Sequence, residues 1–243
     1  MTICVLLRTH KITPGVLKEL NNLKISGYPV FLSFDNSNTP PPDITPLHCC
    51  SITDLKSMTF YQKSWNKIRH KDTNIFKHNP EYALLHFWCL NRQYDYYWFL
   101  EDDIRYINNG KYKEFFDDHL EDQADLLSYN QSSNKYIKDS IRVDANEVTY
   151  TNMNLYKYID YKLNSYLQIA RYSNRALQCL YNAYFEGISG LNELIVPTVL
   201  HYNGMNINKL KDKYFDKRWY SDLPIKREWV KTDKQIIVHS IKD

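Results

Sequence analysis

Residues 96–106 read YYWFLEDDIRY: five large apolar or aromatic residues, then Glu101, Asp102 and Asp103 without a break. A short apolar run of this kind predicts a buried strand over 96–100. Three adjacent carboxylates repel one another and cannot follow the strand into an apolar interior. They belong at its tip, where the backbone leaves the sheet, and something positive must meet them there. The chain must therefore fold so that a buried strand delivers acids to an edge.

The N-terminal segment shows how. Residues 3–7 (ICVLL) are a second apolar run with β-branched members. Pro14 then opens a stretch in which Val16, Leu17, Leu20 and Leu23 recur at helical spacing, and Gly27 gives a stop. YPVFLSF follows as another strand, ending at Asp35. Strand, helix, strand over about 35 residues favours a parallel α/β sheet. NTPPPDITPLH is a Pro-rich surface loop. A helix is expected over 60–69, and another from Asn79-Pro80-Glu81, with Pro80 at its first position and Tyr82, Leu85, His86 and Cys89 at helical spacing. KYKEFFDDHLED predicts an amphipathic helix and ADLLSYN a fourth strand. Residues 130–154 are polar with strand-like fragments, IRVDA and EVTYT. RALQCLYNAYFEG predicts a helix; NELIVPTVLHYNG reads as helix or strand, cut by Pro197; KQIIVHS predicts a last short strand near His239. No internal repeat is visible.

At 243 residues, 43% hydrophobic and 24% charged, the chain can build a substantial core. A net charge of +3 is too mild and too dispersed for a nucleic-acid partner; the densest basic stretch, Lys209 to Lys213, is interrupted by Asp212. Five cysteines without metal-type spacing read as buried free thiols in a reducing compartment. The start, MTICVLLRTHK, lacks the form of a signal peptide, and no stretch approaches the length of a membrane span. The expectation is a soluble, cytoplasmic protein.

Ligands of open α/β sheets bind at the carboxyl ends of the strands. Here those ends carry Arg8-Thr9-His10, Asp35-Asn36 and the three acids. Parallel neighbouring strands would bring all three groups to one rim. The carboxylates suit a hard divalent cation, Mn²⁺ or Mg²⁺, which binds mainly when phosphates complete its shell. On an extended backbone positions i and i+2 share a side, so Glu101 and Asp103 should face one way and Asp102 the other. His239, after the apolar QIIV, is a further candidate ligand; His10 and His201 are ambiguous.

FLEDD, preceded by a helix and by strand–helix–strand, resembles the DXD region of the GT-A-fold nucleotide-sugar glycosyltransferases, in its EDD variant. LLRTHK resembles that fold's first strand, whose end touches the nucleotide, and FLSFDNS its second, whose Asp sits near the base or ribose. GLNELIVPTV, with Glu193 90 residues after Asp103, resembles the acceptor-side segment that holds an acid close to the sugar. His239, 46 residues further on, matches the late His that completes the metal shell. The first motif acid is Glu rather than Asp, which puts its ribose contact in doubt.

The resemblance implies a Rossmann-like, mixed but mainly parallel sheet flanked by helices in one GT-A-like domain. Its nucleotide-sugar half would span 1–130 and its acceptor half 131–243. Asp103 and His239 would ligate the metal. Arg8, Thr9, Asp35, Lys67, Glu101 and Asp102 would bind the nucleotide and its diphosphate. Glu193 or its competitor Glu186 would take the proton of an acceptor hydroxyl if the reaction inverts. The partners would be a nucleotide-sugar donor, UDP before other bases, and a glycan or glycoconjugate acceptor. Trp98, Trp219 and Trp229 would be core, groove wall or sugar platforms. Two alternatives stand beside this reading. A nucleotidyl or phosphoryl transferase also needs carboxylates and a metal, but no Gly-rich loop follows the first strand. A non-catalytic carbohydrate-binding module would not need the acids.

Overall fold

The acid-tipped strand lies inside a seven-stranded sheet. The computed structural model describes residues 1–59, 61, 79–107, 111–132, 163–188, 192–215 and 236–239. In chain order the elements are β1 (Ile3–Thr9), α1 (Pro14–Lys24), β2 (Val30–Phe34), β3 (Leu47–Cys49), α2 (Ile52–Ser57), α3 (Glu81–Leu90), β4 (Tyr96–Glu101) and β5 (Arg105–Tyr106). After these come α4 (Tyr112–Asp117), β6 (Leu126–Ser132), β7 (Asn164–Ser173), α5 (Asn174–Phe185), α6 (Asn192–Tyr202), β8 (Ile207–Lys209), a short 3₁₀ turn (Asp212–Tyr214) and β9 (Ile237–Val238). The sheet order is β3-β2-β1-β4-β7-β6-β8, while β5 and β9 form a separate two-stranded ribbon. β3, β2, β1 and β4 run parallel; β7 is antiparallel to both its neighbours, and β8 is parallel to β6. The expected mixed, mainly parallel sheet flanked by helices is therefore present.

Local chemistry sets the element ends. Thr13 caps α1 by accepting from the Val16 N–H at 3.2 Å, and Pro14 follows at the first turn, where its missing N–H costs nothing. Ser173 does the same for α5, accepting from Ala176 at 2.9 Å. Gly27 and Gly187, at φ 83° and 90°, supply the left-handed residues that turn the chain out of α1 and α5.

Strand alternation divides the core. Val5 and Leu7 of β1 and Trp98 and Leu100 of β4 pack against α1 and α4 through Val16, Leu20, Leu23, Phe115 and Phe116. Cys4, Leu6, Tyr97 and Phe99 face the opposite layer of α3, α5 and α6. Burial on both faces explains why β4 reads as an unbroken apolar run rather than an alternating one.

Several elements depart from the sequence expectation. β3 and α2 follow directly on the Pro-rich stretch, with Ser51 and Asp54 forming a reciprocal cap. β7 was not expected at all. Its Arg171 is fully buried, donating to the carbonyls of His119 (2.6 Å) and Asp122 and lying 4.3 Å over the Tyr96 ring. α6 is a helix despite Pro197, which sits in its interior. β9 does not join the main sheet but pairs with β5. The helix expected over 60–69, the fragments IRVDA and EVTYT, Lys67, Trp219 and Trp229 lie outside the described residues. Among the described residues no helix is long and apolar enough to cross a membrane.

Candidate active site

Register places the strand ends in line. Arg8 lies opposite Glu101 on β4 and opposite Ser33 on β2, and Ser33 lies opposite His48 on β3. The row His48, Ser33, Arg8, Glu101 thus crosses four parallel strands on the face toward α3, α5 and α6. One residue further along, alternation turns Thr9 and Asp102 to the other face. Arg8 Nη1 is 3.6 Å from Glu101 Oε1. Thr9 Oγ1 donates to Asp102 Oδ2 at 2.7 Å and accepts from the Lys11 N–H at 3.2 Å. His10 Nδ1 stands 3.7 Å from the same Asp102 oxygen.

The acids split as the two-residue period requires. Beyond Glu101 the chain turns, with the Ile104 N–H donating to the Glu101 carbonyl at 3.2 Å. Asp103 comes to the same side as Glu101, and Asp102 stays with Thr9. The β5–β9 ribbon then brings His239 back, its Nε2 3.6 Å from Asp103 Oδ1. Glu101, Asp103 and His239 each offer a ligand atom, all within 4.8 Å of one another. Their side chains are 22%, 14% and 18% exposed, so the cluster is open to solvent on one side only.

The donor set fits a divalent cation. Two ligands of an octahedral ion at ~2.1 Å lie about 3.0 Å apart when adjacent and about 4.2 Å when opposite. Asp103 Oδ1 and His239 Nε2, 3.6 Å apart, fall between those values, and the two carboxylates are the ligands that suit Mn²⁺ or Mg²⁺. The electrostatics agree. Burial pushes the Glu101 carboxyl up to about 7; Arg8 opposes this, while Asp103, Asp102 and Glu193 raise it further. The neighbouring acids thus add to the burial cost of a charge at Glu101, and Arg8 offsets part of it. Sequence reasoning put Glu101 with the nucleotide; the structure puts it with Asp103 and His239.

Glu193, in the first turn of α6, is held by Gln168, whose Nε2 donates to Glu193 Oε1 at 2.8 Å. Its charge acts on Glu101, so it shares the acid edge. Gln168 reaches it from β7 where the β6–β7 register shifts, an irregularity that re-aims side chains. Glu186 is elsewhere. It is the exposed C-terminal cap of α5 and lines a surface groove with Gln178, Asn182, Asn203 and Met205. Asp35 directly follows β2; its N–H donates to the Thr9 carbonyl at 2.9 Å and its Oδ1 accepts from the Ser37 N–H at 2.9 Å. It thus shapes the loop at the rim and stands beside the Arg8-Thr9 end.

Glu81 is a buried acid that the sequence does not single out. This buried acid on α3 accepts from Tyr184 Oη at 2.6 Å and Asn79 Nδ2 at 3.1 Å. Burial pushes it up to about 7, against those hydrogen bonds and the field of Arg8. Arg8 is paired with Glu101, and its field also reaches Glu81 weakly. Glu81 follows Pro80 at a helix start, where an acid is ordinarily a dipole partner, and nothing in the sequence distinguishes it from one.

No protein-family model and no curated protein matches this sequence. Solved structures do. Over the whole chain it is similar to a glycosyltransferase involved in the glycosylation of the major capsid of PBCV-1, at 8% identity, 96% of that chain and a TM-score of 0.48. It is also similar to the WbbM bifunctional glycosyltransferase, at 11% identity and a TM-score of 0.52, spanning 46% of that chain. The second likeness is one of fold, and the chain's architecture is GT-A-like.

Proposed function

We propose that this chain is a metal-dependent glycosyltransferase that moves a sugar from a nucleoside-diphosphate sugar to a hydroxyl of a glycan or glycoconjugate. The observation that carries the reading is the Glu101–Asp103–His239 cluster at the edge where four parallel strands end. Glu101, Asp103 and His239 would hold Mn²⁺ or Mg²⁺, which supplies positive charge for the leaving diphosphate when bound. Protein groups do the rest. Arg8 brings a fixed guanidinium to the same edge and adds to diphosphate neutralisation. Thr9, Asp102 and Asp35, at the adjoining strand ends, form the nucleotide side, with UDP the base assigned first. Lys67 belongs to the same role by its residue type.

Glu193 is the carboxylate assigned to take the acceptor proton. Gln168 fixes one of its oxygens, and its charge acts on Glu101. Glu186 lies on another surface and is the weaker candidate.

A hydrolysis screen across nucleotide sugars, with and without Mn²⁺ and paired with thermal shift, tests the proposal. Mn²⁺-dependent release of nucleoside diphosphate, with joint stabilisation by metal and nucleotide, is the expected result. Pyrophosphate release from a nucleoside triphosphate would make it a nucleotidyltransferase. Sugar binding indifferent to metal and nucleotide would make it a carbohydrate-binding module.

A further inference from the structure

The buried face of α1 carries one residue that does not belong to a hydrophobic stripe. Val16, Leu20 and Leu23 pack on the sheet, and Glu19 sits among them, 2% exposed. A carboxylate there costs several kcal/mol unless its oxygens are satisfied. They are, and by one segment above all. Glu19 Oε1 accepts from the backbone N–H of Tyr106 at 3.0 Å and from the hydroxyl of Tyr112, while Oε2 lies 3.4 Å from Asn22 Nδ2. The positive charge of Arg105 also acts on it.

Arg105 and Tyr106 are the whole of β5, directly after the acid turn. The guanidinium of Arg105, 4% exposed, curls back to donate to the carbonyls of Asp102 and, at 2.8 Å, Ile104. The acid turn is therefore wrapped around a buried cation whose charge also acts on Glu19. Tyr106, the residue whose N–H Glu19 accepts, pairs with Ile237, two positions before His239. Both halves of the Glu101–Asp103–His239 cluster thus hang on a segment pinned to α1 at one atom.

We propose that Glu19 is a positioning residue for this cluster: by pinning β5 it fixes His239 against Asp103 and Glu101, and so sets the affinity of the cluster for a divalent cation. The inference rests on the metal reading above. It assigns Glu19 no contact with metal or substrate. Groups that orient ligands in this way are worth about 10–100-fold in metal affinity.

The test is Mn²⁺ titration of the full chain by electron paramagnetic resonance, with backbone amide exchange over residues 104–107 and 236–239 as a readout that needs no metal. Glu19→Ala should weaken Mn²⁺ binding about tenfold and speed exchange in both segments. Glu19→Gln keeps an acceptor oxygen for Tyr106 and Tyr112 and should restore most of both. Leu23→Ala, on the same helix face, should lower stability without moving either readout. If Glu19→Ala does not fold, Tyr112→Phe, which removes one of the donors to Glu19, serves in its place and should give a smaller shift in the same direction. Wild-type Mn²⁺ affinity in Glu19→Ala would overturn the proposal, as would an equal loss in Leu23→Ala, which would make the effect general loosening. A wild-type chain that binds no Mn²⁺ would sink the metal reading and the affinity claim with it. Unchanged exchange in a Glu19 variant would overturn the pinning itself.

Discussion

The row that crosses the four parallel strands has an imidazole at one end and a carboxylate at the other, and the two ends behave oppositely. At the β3 end, His48 Nε2 meets His86 Nδ1 at 2.9 Å, its own Nδ1 lies 3.3 Å from Ser33 Oγ, and Phe87 packs edge-on at 5.2 Å. Burial and the neighbouring His86 push His48 down to about 4, with Asp54 opposing. Burial pushes His86 down as well, so both rings of the pair are biased toward the neutral form. At the β4 end another imidazole, His239, stands among Asp103 and Glu101. Burial acts at both ends. What differs is the sign of the company: imidazole beside imidazole disfavours a cation, and imidazole beside carboxylates asks for one. A histidine at a strand end is thus core or ligand according to its neighbours rather than its position.

The contrast is broken most severely at its acidic end. Asp103→Ala removes the carboxylate that faces His239. Turnover should fall at least about 10²–10³-fold, and Mn²⁺-dependent nucleotide binding should disappear while the fold survives. Calorimetric nucleotide titrations with and without Mn²⁺ check this; unchanged affinity in both would end the metal assignment. Next in size is Glu193→Gln, which should cut transfer about 10²-fold and leave nucleotide binding intact. Glu186→Gln, on the α5 groove, should transfer normally. If Glu186→Gln is inactive and Glu193→Gln active, the two carboxylates have been assigned the wrong way round; if both are active, no general base is required and retention becomes the better account.

The neutral end gives a stability effect. His48 binds its proton near 4 in the folded chain and near 6.5 when unfolded. The unfolded chain therefore takes up more protons as pH falls between those values, and stability present above 6.5 is lost toward 4. The loss should approach about 3 kcal/mol from this group alone. Urea unfolding at pH 7 and pH 5 should show it, and His48→Gln should flatten the slope. An unchanged slope would mean that His48 does not carry it. The smallest effect is expected at Asp35→Ala, which should raise the donor KM several-fold with little change in kcat, because the loss falls on ground and transition states alike. A pure kcat effect would put Asp35 outside the nucleotide pocket.

Much of this molecule is legible in its residues, and the rest is hidden for identifiable reasons. β1, β2 and β4 read as continuous apolar runs because they are buried nearly throughout, and α1 shows its helical period because one face is buried. β7 is not legible: Gln168 and Arg171 interrupt its apolar pattern, and both are satisfied by groups distant in sequence. β3 and α2 are hidden behind prolines. Pro197 marks a break that α6 does not make. At the site, three acids on a strand tip are conspicuous because adjacency itself is unfavourable without a counter-charge. Their division into Glu101 with Asp103, and Asp102 apart, is what the strand period anticipates, although Asp102 and Asp103 lie in the turn beyond β4. The helpers do not follow. Glu81 reads as an ordinary helix-start acid, and Glu19 shows only as an acid at a spacing that α1 otherwise reserves for apolar residues.

The ribbon that returns His239 to the acids also orders events in time. Asp103 and His239 are 136 residues apart. At roughly 5–20 residues per second, a ribosome makes the carboxylates about 7–27 s before the imidazole that joins them. During that interval β1, β2 and β4 can already lie side by side, with Arg8 as the cation at the rim. The chain emerging from the ribosome thus carries Arg8 as a counter-charge to the acids, and it acquires His239 only after the last described strand is translated.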